Sequence, residues 1–187
     1  MAFFRRSGEK HSLAIAMTGV KLGDRLLQVG CTDASLVAAI SSKVGLSGRA
    51  CALVSSDAEE ARARSGAERG GVLLEIDKAP LSTFPYPDRS FDLVVVDNQN
   101  GLLANARPED RVAALQHARR TLVPRGRIVV IERGRRGGLG GLFHGGEPSD
   151  PYYQRSGGAV AALQAEGFKA VRQLAEREGL SFFEGIA

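Results

Sequence analysis

The amino-acid sequence predicts an α/β fold in which a mostly parallel β-sheet is covered by helices on both faces. Short apolar runs alternate along the chain with segments whose apolar residues recur at helical spacing, which is typical of parallel sheets. The run at residues 91–96 is almost entirely apolar, as expected for a strand buried on both faces. The last two runs, at residues 168–174 and 180–183, are too close together for a crossover helix. We therefore expect a hairpin that places an antiparallel strand at the sheet edge.

The first half of the chain contains three predicted helices and three predicted strands. The residues Leu36, Val37 and Ile40 fall on one face of the second helix. A capping box from Ser56 to Glu59 marks the start of the third helix. The predicted helices cover residues 9–19, 34–43 and 57–68, and the predicted strands cover residues 25–30, 50–54 and 72–76.

The second half continues the same alternation after a proline-rich loop at residues 77–90. Pro108 suits the first turn of a helix, and the acidic residues Glu109 and Asp110 are favourable at its positive end. A loop rich in glycine and arginine at residues 133–150 is expected to be mobile. The remaining predicted elements are a helix from Pro108 to about residue 122, a strand at 127–132, a helix at 157–166 and the hairpin strands.

Composition and charge restrict the class of protein. The 187 residues suit one domain, 1–187, with no need for disulfides or metal. The 25 basic and 21 acidic residues give a net charge of only +4, without interleaved aromatic residues, so nucleic-acid binding is not expected. Two cysteines, Cys31 and Cys51, form neither a disulfide framework nor a zinc set, and indicate a reducing cytoplasm. We find no secretory signal and no apolar run of transmembrane length, and the oligomeric state is left open.

A ligand site is expected at one edge of the sheet. In open α/β sheets, ligands bind at the carboxyl ends of the strands. These ends fall at four places, and the first loop opens a helix whose backbone N–H groups can face a ligand. The four segments are Gln28 to Ser35, Val54 to Ser56, Asp77 to Ala79 and Asp97 to Asn100.

Four segments resemble the motifs of the class I S-adenosylmethionine-dependent methyltransferases. Residues 25–35 are similar to the first, glycine-containing motif, and residues 77–95 to the stretch that enters the fourth strand. Residues 119–130 and 166–168 are similar to the lead into the fifth strand and to the C-terminal hairpin. The resemblance implies a Rossmann-like three-layer sandwich. It also implies a seven-stranded sheet with a reversed last strand, and a cofactor, S-adenosylmethionine, lying across the first strand ends.

The resemblance implies roles for individual residues, and the sequence departs from three of them. Gly30 would let the backbone approach the cofactor's methionine part. Gln28 replaces an acidic residue expected near the ammonium, and Thr32 and Ala34 replace the second and third glycines. Val54 replaces the acidic residue expected at the ribose, where Ser55 or Ser56 is the alternative partner. Asp77, expected at the adenine amine, is retained. We therefore expect weak binding of S-adenosylmethionine, because each lost charged hydrogen bond costs about 1.5–3 kcal/mol. The predicted cofactor-binding residues are Gln28, Gly30, Cys31, Thr32, Val54, Ser55, Asp77, Lys78 and Asp97.

These features favour a methyltransferase-like enzyme that acts on a small molecule. In-line methyl transfer needs positioning more than an acid or a base, so no catalytic residue is assigned. The alternative is a non-catalytic binding protein with a methyltransferase fold, which the altered motifs favour. A nicotinamide-dinucleotide protein is a third interpretation. However, the run from Gly30 through Thr32 to Ser35 matches the glycine fingerprint of such proteins poorly.

Overall fold

The computed structural model describes residues 11–134 and 151–187, and within these ranges the predicted alternation of helices and strands is present. The helices are α1 (Ser12–Thr18), α2 (Ala34–Ser41), α3 (Asp57–Gly70), α4 (Pro108–Thr121), α5 (Pro151–Arg155) and α6 (Gly158–Ala165). The strands are β1 (Arg25–Val29), β2 (Arg49–Val54), β3 (Glu75–Lys78), β4 (Phe91–Asp97), β5 (Leu122–Arg133), β6 (Lys169–Arg177) and β7 (Leu180–Ile186).

The described strands form one seven-stranded sheet in the order β3-β2-β1-β4-β5-β7-β6. The pairs among β1 to β5 are parallel, whereas β7 is antiparallel to both β5 and β6. This confirms the mostly parallel Rossmann-like sheet and its C-terminal antiparallel hairpin. The reversed strand lies one position further in than expected, because β7 inserts between β5 and β6 and leaves β6 at the edge.

Three features differ most from the sequence predictions. The third strand begins at Glu75 rather than at residue 72, because α3 extends to Gly70 and is capped by Gly71 in a left-handed conformation. Leu73, in the connection, is 80% exposed. β5 begins at Leu122 and runs through the predicted turn, where Arg125 adopts a φ of 66°. The short α5 was not predicted. Most of the predicted mobile loop, residues 135–150, lies outside the described residues.

Two apolar layers lie on opposite faces of the sheet. Leu27 and Val29 of β1 pack into a cluster that includes Leu115 of α4. Leu26, which points to the opposite face, joins a cluster that includes Ile40 of α2. This alternation follows from the two-residue period of a strand. Because β1, β2, β3 and β4 are parallel, their carboxyl ends meet along one edge, which we call the carboxyl edge of the sheet.

Candidate functional site

The loop after β1 requires glycine at its first position. Gly30 has a φ of 81°, a conformation that L side chains rarely adopt, and its N–H donates to the carbonyl oxygen of Leu53 at 2.8 Å. A Cβ at this position would lie 2.8 Å from Cδ2 of Leu102 and 3.2 Å from the carbonyl oxygen of Asp97. Because Gly30 has no Cβ, another group can approach its backbone closely. In this structure that group is the side chain of Leu102, which occupies the space in front of Gly30.

Asp97 joins the loop after β1 to the end of β4. Its Oδ2 accepts a hydrogen bond from the N–H of Thr32 at 2.7 Å, and its Oδ1 accepts one from Nε2 of Gln99 at 3.0 Å. The side chain is only 2% exposed, and burial raises the pKa of its carboxyl group, although these hydrogen bonds oppose the rise. Asp97 thus fixes the loop after β1 in place, and the N–H of Thr32 is already bonded to it.

Glu59, in the first turn of α3, connects the loops that follow β1 and β2. Its Oε1 accepts from the N–H of Cys31 at 3.4 Å, and its Oε2 accepts from the N–H and the hydroxyl of Ser55 at 2.8 and 2.9 Å. This role was not predicted from the sequence. The capping-box motif did identify Glu59, and its N–H is indeed bound by the hydroxyl of Ser56 at 3.3 Å. The motif indicated only a local helix cap.

Val54 ends β2 with its side chain in the core. It is 1% exposed and belongs to an apolar cluster with Cys31, Val37 and Ala63. A carboxylate at this position would be buried among apolar side chains. The next residue, Ser55, directs its polar groups to Glu59.

The other predicted residues at β1 and β3 have distinct environments. The hydroxyl of Tyr86 donates to Oδ2 of Asp77 at 2.9 Å. Lys78 forms ion pairs with Asp57 and Glu60 of α3, so its ammonium is directed to the helix. The thiol of Cys31 is buried, which raises its pKa to about 12 and leaves it a poor nucleophile.

Gln28 is fully buried on the sheet face that packs against α2. Its Nε2 donates to the carbonyl oxygen of Gly30 at 3.3 Å. Its Oε1 has no hydrogen-bond partner within the part of the chain that the structure describes. A buried acceptor without a partner is costly, and it is suited to receive a hydrogen bond from a donor on a ligand.

Two cavities lie side by side at the carboxyl edge. The first, in front of Gly30, has a volume of only about 10 Å³, and the second has a volume of about 460 Å³. Leu81 and Leu102 line both cavities. Sites for drug-sized ligands have volumes of about 300–1,000 Å³. The first space is therefore too small for such a ligand, whereas the second is large enough. The larger cavity is lined by residues of the segments 80–82 and 100–107, together with Asp110.

A buried polar cluster lies at the ends of β4 and β5. Oε1 of Glu132 accepts from Nδ2 of Asn98 at 2.7 Å and from the hydroxyl of Tyr153 at 2.8 Å. Burial raises the pKa of Glu132 and that of Tyr153. Tyr153 is therefore a packed core residue that ties α5 to the sheet, whereas Tyr152 is exposed. The sequence analysis did not find this cluster, because its members are far apart in the chain.

Comparison with known proteins identifies the family. The sequence model of a protein family described as a methyltransferase domain matches residues 26–126. This match covers more than half of the chain, from β1 to β4. The chain belongs to the class I S-adenosylmethionine-dependent methyltransferases. Two solved structures share its fold. A methyltransferase from Aquifex aeolicus superimposes with a TM-score of 0.69 at 18% sequence identity. The aligned part covers 94% of this chain and 88% of the Aquifex aeolicus chain. The YcgJ protein of Bacillus subtilis has a TM-score of 0.65 at 14% identity, covering 95% and 97%.

Similar curated proteins are C-methyltransferases of ubiquinone and menaquinone biosynthesis. The protein from Pseudomonas fluorescens is 33% identical over 135 residues, which is 67% of this methyltransferase chain and 50% of the relative. The protein from Hydrogenovibrio crunogenus is 32% identical over 126 residues, or 64% of this chain and 46% of the relative. The chain spans about half the length of these relatives.

S-adenosylmethionine is the cofactor of this methyltransferase family, and the carboxyl edge carries polar groups of the chemical kinds that could hold it. Oε1 of Gln28 is an unpaired buried acceptor suited to an ammonium group. Gly30 forms a backbone surface that a Cβ would obstruct. Asp77 can accept from an adenine amine, as the family pattern implies. With the side chain of Leu102 in place, the space in front of Gly30, about 10 Å³, is too small for a ligand of this size.

Residues 11–134 and 151–187 lack two further features. No group of three or more His, Cys, Asp or Glu side chains is placed there to hold a metal ion. In the same ranges, no helix has the length and apolar character needed to cross a membrane.

Proposed function

We propose that the chain transfers a methyl group from S-adenosylmethionine to a small-molecule acceptor at the carboxyl edge of the sheet. The family match over residues 26–126 carries this proposal, because it covers the loops after β1, β2, β3 and β4. The unpaired Oε1 of Gln28 and the closely approachable backbone of Gly30 support it.

The residues of this chain would contribute by holding the cofactor and the acceptor in position for the transfer. S-adenosylmethionine supplies a methyl group on a sulfonium, which a nucleophile can take by in-line displacement. Gln28 would accept a hydrogen bond from the ammonium group, and Asp97 fixes the loop after β1 by holding the N–H of Thr32. Orientation alone can supply a large part of the rate enhancement of such a transfer, so a dedicated acid or base is not required.

We propose an activated ring carbon of a hydroquinone-type compound as the acceptor. The curated relatives from Pseudomonas fluorescens and Hydrogenovibrio crunogenus are named as C-methyltransferases of quinone biosynthesis. The 460 Å³ cavity has space for a one- or two-ring compound, and Leu81 and Leu102 give it an apolar wall beside the cofactor cleft. In the reaction the ring carbon would gain the methyl group and lose its hydrogen as a proton.

A non-catalytic binding protein is the second candidate function. The observation that favours it is the closed space in front of Gly30, which measures only about 10 Å³ because Leu102 fills it. A protein of this kind would use the larger cavity without transferring a methyl group.

One experiment distinguishes the two functions. The chain would be incubated with methyl-labelled S-adenosylmethionine and a panel of benzo- and naphthohydroquinones, and binding of S-adenosylhomocysteine would be measured by calorimetry. Cofactor binding with label in the acceptor supports the methyltransferase. Binding without label in any acceptor supports the non-catalytic protein, and absence of binding contradicts the proposed use of the cofactor.

A further inference from the structure

We propose that Glu59 binds the ribose hydroxyl groups of the cofactor, a role that the end of β2 cannot fill in this chain. This inference rests on the proposed function. The carboxylate that binds the ribose would then come from the first turn of α3, whereas the family pattern places it at the end of the second strand. The buried side chain of Val54 leaves that strand end without a polar group.

The position of the carboxylate supports this assignment. Oε1 of Glu59 would lie 3.8 Å from a Cβ on Gly30, so it stands at the edge of the surface that the glycine opens. The same carboxylate lines the closed cleft together with Leu53 and Ser55 at the end of β2 and Ala79 beyond β3. It therefore lies between the loops after β1 and β2, where a nucleoside sugar would enter.

The hydrogen bonds of Glu59 leave it able to accept more. An ionised carboxylate has about four acceptor positions. Oε2 uses two of them for the N–H and hydroxyl of Ser55, whereas Oε1 has one long contact, at 3.4 Å, with the N–H of Cys31. Oε1 can accept from a sugar hydroxyl, because that long contact is weak. In related α/β folds an acidic side chain binds the ribose in this way.

The local structure of α3 explains why Glu59 points toward the cleft. In an ordinary capping box the glutamate bonds back to the N–H of the N-cap residue, which here is Ser56. Glu59 instead reaches one residue further, to the N–H of Ser55. The next residue, Glu60, pairs with Arg64 and Lys78 on the helix surface. Glu60 is therefore a matched control for loss of a negative charge in the same turn.

The test compares Glu59→Gln with Glu60→Gln. Calorimetry would measure the binding of S-adenosylhomocysteine and of its analogue without the 2′-hydroxyl to the wild type and both variants. We expect Glu59→Gln to bind S-adenosylhomocysteine about ten- to a hundredfold more weakly, the range expected for one lost charged hydrogen bond. The Glu60→Gln variant should bind like the wild type. The wild type should also discriminate against the analogue, and Glu59→Gln should lose that discrimination.

The outcomes separate this inference from the proposed function. A wild type that binds S-adenosylhomocysteine with the same affinity as Glu59→Gln overturns the role of Glu59 only. If Glu59→Gln lowers the affinity for both ligands by the same factor, the role of Glu59 is also overturned, since the effect is then structural. A wild type that binds neither ligand overturns both proposals. If Glu59→Gln does not fold, Glu59→Asp replaces it, because the shorter carboxylate should lose discrimination while keeping the charge.

Discussion

The two edges of the sheet use polar side chains differently. At the amino edge, where the parallel strands begin, charged side chains pair with one another. Arg25 binds Asp92 at 2.8 Å, and Arg49 binds Glu75 at 2.6 Å. These interactions hold the pKa of Asp92 and that of Glu75 below their usual ranges. The amino-edge charges thus have partners of their own.

At the carboxyl edge Lys78 also pairs with Asp57 and Glu60, but several other polar side chains bind backbone groups of neighbouring loops. Asp97 holds Thr32, Glu59 holds Ser55, and Oδ1 of Asn98 accepts from the N–H of Leu103 at 2.6 Å. Gln28 keeps an unpaired oxygen. The difference teaches that the candidate site is distinguished by side chains that hold loop backbone groups and by the unpaired oxygen of Gln28, whereas ion pairs occur at both edges.

The largest expected effect comes from placing a carboxylate at the end of β2. Val54→Asp would bury a charge among apolar side chains, and we expect the free energy of unfolding to fall by about 3 kcal/mol or more. Urea denaturation followed by circular dichroism measures this. The control is Val112→Asp, at a position on α4 that is 39% exposed, where the change should be small. Equal stability of the two variants would contradict the buried environment of Val54.

A second variant tests a paired charge on β7, which is separated from β4 by β5. Glu184 is buried between Arg127, at 2.6 Å, and Arg172, at 2.9 Å. Replacing it by alanine leaves Arg127 without its partner, so we expect a loss of about 2 kcal/mol of stability. Affinity for S-adenosylhomocysteine should be unchanged in calorimetry. A variant with normal stability and weakened ligand binding would contradict a purely structural role for this ion pair.

Opening the cleft should strengthen ligand binding. Leu102 is partly buried in front of Gly30, and its displacement costs about 1 kcal/mol of apolar burial. Leu102→Ala removes this cost, and we expect S-adenosylhomocysteine to bind about fivefold more tightly in calorimetry. The control is Leu46→Ala, whose side chain is 92% exposed. Unchanged or weaker binding by Leu102→Ala would show that this side chain does not limit access.

The smallest expected effect concerns pH. Burial raises the pKa of Glu132 in the folded protein, so the unfolded chain releases this proton first as pH rises. Glu132 therefore contributes a loss of stability as pH rises from its ordinary pKa, about 4.3, toward its raised value. Glu132→Gln keeps an acceptor for Asn98 and Tyr153 and should remove this contribution. Urea denaturation between pH 4 and 7 measures it, and identical slopes for both proteins would contradict the raised pKa.

The elements of the fold could be predicted because their signals are local. The apolar run of β4 and the short gap before β7 are visible in the sequence. The position of β7 inside the sheet depends on which neighbour it pairs with, and no local pattern specifies that. The start of β3 was misplaced because residues 72–74 are apolar but lie in the connection after α3.

The candidate site was only partly predictable for the same reason. Gly30 and Gln28 stand at recognisable strand-end positions, although their roles remain predictions. Leu102 could not be found, since its contact with Gly30 joins residues far apart in the chain. Glu59 was visible only as a helix cap, because its reach to Ser55 and Cys31 depends on how α3 packs against two loops.

The most direct test of cofactor binding at the carboxyl edge is calorimetry of S-adenosylhomocysteine with the wild type, Gly30→Ala and Gly71→Ala. Both glycines have a positive φ, of 81° and 60°, but a Cβ on Gly71 would meet nothing within 4 Å. We expect the wild type and Gly71→Ala to bind one molecule per chain with similar affinity, and Gly30→Ala to bind at least about tenfold more weakly. Absence of binding by the wild type, or equal binding by both variants, would contradict the account.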